Sequence, residues 1–171
     1  DDAGQLKIDE RYSKIMQSVA EDLCDRSTNF SRRAPKNVTF AENLTQRAEE
    51  ALEKNAYYAA ASYCFRANVE YKRSIYQSRN FSQQILERQI KLLQADAEEA
   101  RVQVDNLTIT TLTDLQTYLA VRERIDEVIN ILNNIQANKT IDPVSIGFAE
   151  ERLCSAKTWS RFFNGTQQKL A

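Results

Sequence analysis

Three glycines and two prolines in a chain of 171 residues leave few positions where the backbone can take the conformations that tight hairpins demand. Average usage is about 7% glycine and 5% proline, so a sheet protein with a turn between every pair of strands is excluded by supply. The expected fold class is all-α. From Ala56 onward, apolar residues recur at helical spacing through Tyr58, Ala61, Phe65, Val69, Ile75, Ile85, Leu86, Ile90, Leu93, Ala97, Ala100 and Val104, with no glycine or proline between. This pattern predicts one very long central helix over 56–104, about 70 Å at 1.5 Å per residue. Within it, residues 78–82 supply only Phe81 as a large apolar side chain and mark where such a helix would kink or change partners.

Four further helices are expected. Ile8, Tyr12, Ile15, Met16, Val19, Ala20 and Leu23 predict a helix over 5–26, followed by a polar linker at 27–38 that contains Pro35. Thr39 and Glu42 stand at capping-box spacing before a helix over 39–54 that turns Phe40, Leu44, Ala48, Ala51 and Leu52 inward. Asn55 suits the left-handed turn that ends it. Thr111 and Asp114 open a helix over 111–135 carrying Leu115, Leu119, Val121, Ile125, Val128 and Leu132. Asp142-Pro143 is an N-cap acceptor followed by proline at the first helical position. It starts a helix over 142–168 with Phe148, Leu153, Ala156, Trp159, Phe162 and Phe163 inward. With 42% hydrophobic residues the chain can bury a real core. A single domain over 1–171 is expected, an elongated bundle of about five helices.

Seven asparagines carry the Asn-x-Ser/Thr pattern for N-linked glycosylation: Asn29, Asn37, Asn43, Asn80, Asn106, Asn138 and Asn164. Chance would supply roughly one or two in a chain of this composition, so the pattern implies an exported protein bearing covalent N-glycans. Asn29, Asn37, Asn106 and Asn138 fall in expected connections. Asn43 shares a helical face with Arg47, Glu50 and Lys54, Asn80 with Gln84, Glu87 and Lys91, and Asn164 with Lys157, Ser160, Arg161 and Gln168. The expected location is extracellular or at the cell surface.

Three cysteines, Cys24, Cys64 and Cys154, allow one disulfide and a leftover thiol, and an oxidised pair suits export. The sequence does not decide the pairing; a continuous helix over 56–104 would place Cys154 well above Cys64 and so disfavours that pair, Cys24 with Cys64 is the expected one, and three reduced cysteines acting as small hydrophobes are the alternative. No apolar stretch reaches the 18 residues needed to span a bilayer. Opening on Asp1-Asp2 with no apolar leader, the sequence reads as a mature product or a piece of a longer chain, with any anchor outside it.

The absence of histidine removes the commonest general base, the commonest transition-metal ligand and the histidine-dependent triads. Two acidic groups, Asp96, Glu98 and Glu99, and Glu123, Asp126 and Glu127, could supply an acid and base pair, but their interleaving with polar partners reads as solvated helix faces. Gly4, Gly147 and Gly165 stand too far apart for a phosphate loop. A non-catalytic protein without cofactor or metal is expected. Twenty-three basic against 24 acidic residues give no field to gather nucleic acid, and Arg32, Arg33 and Lys36 read as a solvated linker.

Tyr57, Tyr58, Tyr63, Tyr71 and Tyr76 cluster with Phe65. Of these, Tyr57, Tyr71 and Tyr76 point away from the main apolar stripe and are the expected interaction residues. The segment 47–67, with its Leu52-Glu53-Lys54-Asn55-Ala56-Tyr57-Tyr58 run, resembles one helical hairpin of the tetratricopeptide repeat family. The Tyr-Tyr-Ala-Ala-Ala-Ser run at 57–62 and the Ala149-Glu150-Glu151-Arg152, Ala156, Trp159, Phe162 pattern are similar to the helical region of archaeal secreted, membrane-anchored Lon-like serine proteases. That resemblance implies an archaeal, exported accessory region and carries over no catalytic residue.

Three readings follow. The first is a glycosylated extracellular module for protein–protein interaction or self-assembly into a surface layer or filament. The second is the accessory C-terminal helical domain of a secreted Lon-like protease. The third is a ligand-binding bundle, for which an apolar cavity lined by Tyr58, Phe65 and Trp159 would be the mark.

Overall fold

The helix-rich composition is realised as six helices rather than five. They are α1 (Asp2–Arg33), α2 (Thr39–Glu53), α3 (Tyr57–Gln77), α4 (Gln83–Asp105), α5 (Leu112–Ala137) and α6 (Pro143–Gln168). The computed structural model describes residues 2–34, 38–138 and 141–168, with side chains from Glu10 to Arg161 apart from the same gaps, and no strand occurs among them.

The expected 56–104 helix is two helices, broken at 78–82. Ser78 ends α3 by donating its hydroxyl to the Ile75 carbonyl at 2.8 Å. Ser82 adopts an extended conformation (φ −71°, ψ 153°) and accepts the Ile85 N–H at 3.2 Å, an N-cap that starts α4 afresh. Phe81 folds back edge-on against Tyr76, with ring centroids 5.2 Å apart. The break lets the two helices take different partners: α3 packs on α1, α2 and α6, whereas α4 packs on α5 and α6. No 70 Å rod therefore exists.

α1 runs seven residues past its expected end at Arg26. Ser27, read from sequence as the start of a linker, is buried; its hydroxyl donates to Asn68 Oδ1 at 2.6 Å and lies 3.2 Å from the Leu23 carbonyl. Phe30 then continues the apolar stripe into a second, smaller core with Ala41, Leu44, Ala67 and Tyr71. The Thr39 capping box does not form. The Val38 carbonyl accepts the Glu42 N–H at 3.0 Å, so Val38 is the N-cap and Thr39 already lies inside the helix. Other local expectations hold: Asn55 has φ 58°, Thr111 and Asp114 form a full capping box, and Asp142 Oδ1 accepts the Val144 N–H at 3.0 Å.

α6 joins the two halves of the bundle, touching α1, α3, α4 and α5. Small buried residues, Gly147, Ala149 and Ala156, let neighbours approach it closely. The main core draws Val19 and Leu23 from α1, Leu86 and Ile90 from α4, Ile125, Val128 and Leu132 from α5, and Ile146, Leu153 and Trp159 from α6. Several residues expected inward face solvent instead, among them Phe40, Tyr58, Ile85, Leu115 and Leu119. The period that placed them in the stripe is wider than the contact each helix makes.

Candidate functional site

Asn29, Asn43, Asn80, Asn106 and Asn138 are all exposed, and none of their side chains makes a hydrogen bond to the described residues. Asn29 lies on the extended α1 rather than in a connection, and Asn80 lies in the α3–α4 break rather than on a helix. Asn43 is on the outer side of α2, while Asn106 and Asn138 follow α4 and α5 as their C-caps. Asn37 falls outside the described residues, as does the side chain of Asn164.

Cys24 and Cys64 form a disulfide between α1 and α3, with Cα atoms 5.1 Å apart. Ala20, Ala60 and Ala61, all buried, keep side-chain bulk low around the bridge. The pair is the expected one, but the reason for excluding Cys154 fails. Cys154 is half-buried within the electrostatic reach of Asp22, Arg26 and Glu151, so it lies across α1 at the level of the bridge. Burial, the largest cause, pushes its thiol pKa up, with Arg26 opposing.

The tyrosines expected to carry an interaction surface are mostly engaged internally. Tyr71 is 2% exposed and sits in the smaller core, its ring 6.4 Å from Phe30. The Tyr76 hydroxyl donates to Glu150; burial first, and that hydrogen bond second, push its pKa well above the usual value. Tyr57 is half-buried, and its hydroxyl donates to Asn55 Oδ1 at 3.1 Å. The acidic clusters are largely paired: Asp96 with Lys157, Glu98 with Arg101, Asp126 with Arg122 and Glu127 with Arg152. Glu99 and Glu123 are exposed.

An ionic layer that the sequence pattern did not single out crosses the middle of the bundle. Glu151 of α6 is 1% exposed and accepts two bonds from Arg26 of α1, both 2.8 Å. Lys72 of α3 lies 2.9 Å from Glu150 and 3.8 Å from Glu151. The bidentate hydrogen bonds to Glu151 are the main cause holding the Arg26 pKa above its usual value. This geometry satisfies a buried carboxylate and fixes how three helices meet.

A cleft that gathers aromatic and cationic side chains from different helices has a volume of about 290 Å³. Its walls include Tyr58, Phe65 and Arg66 of α3, Arg124 of α5, and Arg152 and Trp159 of α6. α3 and α5 do not pack on each other; the cleft lies where they diverge. Arg124 lies with its guanidinium carbon 5.2 Å from the Trp159 ring centroid, and Arg152 with its own 4.8 Å from that of Phe65. The Trp159 ring in turn meets Tyr12 at 6.4 Å. Arg152 donates Nε–H to Glu127 at 2.7 Å. Among the described residues Arg124 donates only to the Ala120 carbonyl, at 2.9 Å, and its buried Nε–H has no acceptor. Burial, then repulsion from Arg152, lowers the Arg124 pKa, yet an arginine stays charged at any ordinary pH.

Tyr58, Phe65 and Trp159 were expected to meet around a cavity in a ligand-binding bundle, and they do line one cleft. The arginines make it more polar than expected. They were legible only as charges at helical spacing, and nothing in sequence said that three helices would turn them toward one space. Comparison of the chain with protein-family models, curated proteins and solved structures finds no match, so the resemblances above rest on their quoted residues alone.

Proposed function

We propose that this protein is an exported, N-glycosylated and non-catalytic helical module that works by binding, to a protein partner or to copies of itself at the cell surface. The observation that carries this reading is the exposure of every sequon asparagine whose side chain is described. An attached sugar needs a side chain in water, and each of these asparagines meets that condition. The disulfide adds support, since such bonds persist in oxidising compartments. No helix among the described residues is long and apolar enough to cross a membrane. Intact mass spectrometry of native material tests the reading by counting occupied sites. Sedimentation of the same material over a range of concentrations tests association; a bare polypeptide mass would refute glycosylation and remove the main ground for export, and a monomer at every concentration would remove self-assembly.

A second reading is favoured by the cleft. Tyr58 and Phe65 offer aromatic surface beside Arg66, Arg124 and Arg152 around a concave space of about 290 Å³, a more polar lining than most small-molecule sites carry but one with convergent groups able to orient a ligand. Under this reading the module binds a small ligand between α3, α5 and α6. A saturable change in Trp159 fluorescence on ligand addition is the expected signature.

A further inference from the structure

We infer that the ligand of this cleft is an organic anion, an oxyanion group on an apolar or aromatic stem. This inference rests on the ligand-binding reading and names its ligand class. Three cations, Arg66, Arg124 and Arg152, line one wall system, and only Arg152 has a carboxylate partner, Glu127. Among the described residues neither Arg66 nor Arg124 has an ion pair. Glu123 acts on Arg124 only through space, from the exposed side of α5. The neighbouring cleft of about 370 Å³ between α4 and α6 provides the contrast: its Lys157 is neutralised by Asp96, and its charges balance.

Unbalanced positive charge in a concave, partly dry site strengthens attraction for an arriving anion and raises its local concentration. Guanidinium groups present a planar fork of donors matched to carboxylate or phosphate. Trp159, 2% exposed, and Phe65 lie under two of these guanidiniums and hold them without using up their donors, so the cations stay available to the oxyanion, and the apolar stem falls to the exposed aromatic surface at the mouth. Tyr58, 67% exposed, adds a ring and a hydroxyl at the mouth.

The test uses the full, disulfide-intact chain, whose single tryptophan, Trp159, reports on the cleft. The probes are phenylbutyrate, phenylbutyl phosphate and the neutral phenylbutanol. We expect at least one anion to change Trp159 emission saturably, and to bind about tenfold or more tightly than the alcohol, the discrimination expected of one charge-assisted hydrogen bond. Preference for the carboxylate or for the phosphate then identifies the source of the oxyanion. Arg124→Gln and Arg66→Gln should each weaken anion binding about tenfold and leave alcohol binding unchanged. Arg66 is exposed, so its variant keeps the test decisive if Arg124→Gln does not fold. Equal binding of alcohol and anions, or anion binding indifferent to both substitutions, overturns the anion assignment while leaving a ligand site. No saturable response to any probe up to about 10 mM, tenfold weaker than a millimolar complex, overturns both.

Discussion

Glu151 shows how a single side chain commits this fold. Its carboxylate is buried beneath two bonds from Arg26, a residue 36% exposed by side chain, so the pair is half in solvent and half in the core. Removing the arginine alone strands a buried charge, whereas removing both leaves an apolar gap that neighbours can fill. Arg26→Met should therefore destabilise by about 3 kcal/mol, softened by Lys72 at 3.8 Å. The double variant Arg26→Met/Glu151→Met should recover much of that loss, as urea denaturation would show; equal instability of the two would contradict the stranded-charge account. Asp114 offers a pH-dependent case. Burial pushes its pKa up, but the Thr110 amide and hydroxyl, the Arg11 guanidinium and Thr111 outweigh this and hold it below the usual carboxylate value. A group lowered in the folded state contributes stability above its unfolded pKa and loses it as pH falls through the folded one. Asp114→Asn should thus be less stable than the native chain at pH 7, with the gap closing below about pH 4. A gap constant with pH in the same denaturation series would mean the charge plays no part.

At the scale of elements, what could be read in advance depended on whether the signal was local. Asn55 in its left-handed turn, the Thr111–Asp114 cap and the Asp142-Pro143 start each involve side chains within a few residues of the backbone they serve, and all three were legible. The break at 78–82 was marked by its poverty in aliphatic residues, but the absence of glycine and proline argued for continuity, and the serine cap that decides against it is a short, common signal. Ser27 misled for the opposite reason: it is polar yet buried, because its partner Asn68 arrives from α3, 41 residues away. The Cys24–Cys64 bridge closes a separation of 40 residues between α1 and α3. Chain-entropy reasoning gives it about 4 kcal/mol, so reduction should lower the melting temperature by about 8–16 °C for a chain of this size. A calorimetric shift under about 3 °C would show that helix packing alone restrains the pair. Gly147 marks a close approach of α6 to α3: a Cβ there would lie 2.9 Å from Lys72 Cγ and 3.3 Å from Tyr76 Cδ2. Gly147→Val should cost about 1–3 kcal/mol through overpacking, measurable as a lower denaturation midpoint. Unchanged stability would mean that α3 can retreat freely.

For the molecule as a whole, the question is how the proposed carbohydrate coat would coexist with a helical bundle and a cleft. The described sequon asparagines are spread over α1, α2, the α3–α4 connection and the ends of α4 and α5, so sugars would surround both halves joined by α6. None of the five described sequon asparagines lines the cleft of Tyr58, Phe65 and Trp159, which suits a surface that is shielded in general and open at one place. Because the described asparagine side chains contact no protein partner through hydrogen bonds, the glycans should be removable without disturbing the fold. Native material is expected to exceed the 19.7 kDa polypeptide mass by several glycans. Enzymatic removal under non-denaturing conditions should shift the melting temperature by no more than about 2 °C, the scale of ordinary surface changes, and leave the Trp159 response to anions intact. Unfolding on deglycosylation would place the sugars inside the structural framework, contrary to the exposure of their acceptors. Loss of the Trp159 response alone, with the fold retained, would mean that a glycan forms part of the cleft, and the ligand would then have to be sought among molecules that contact carbohydrate as well as arginine.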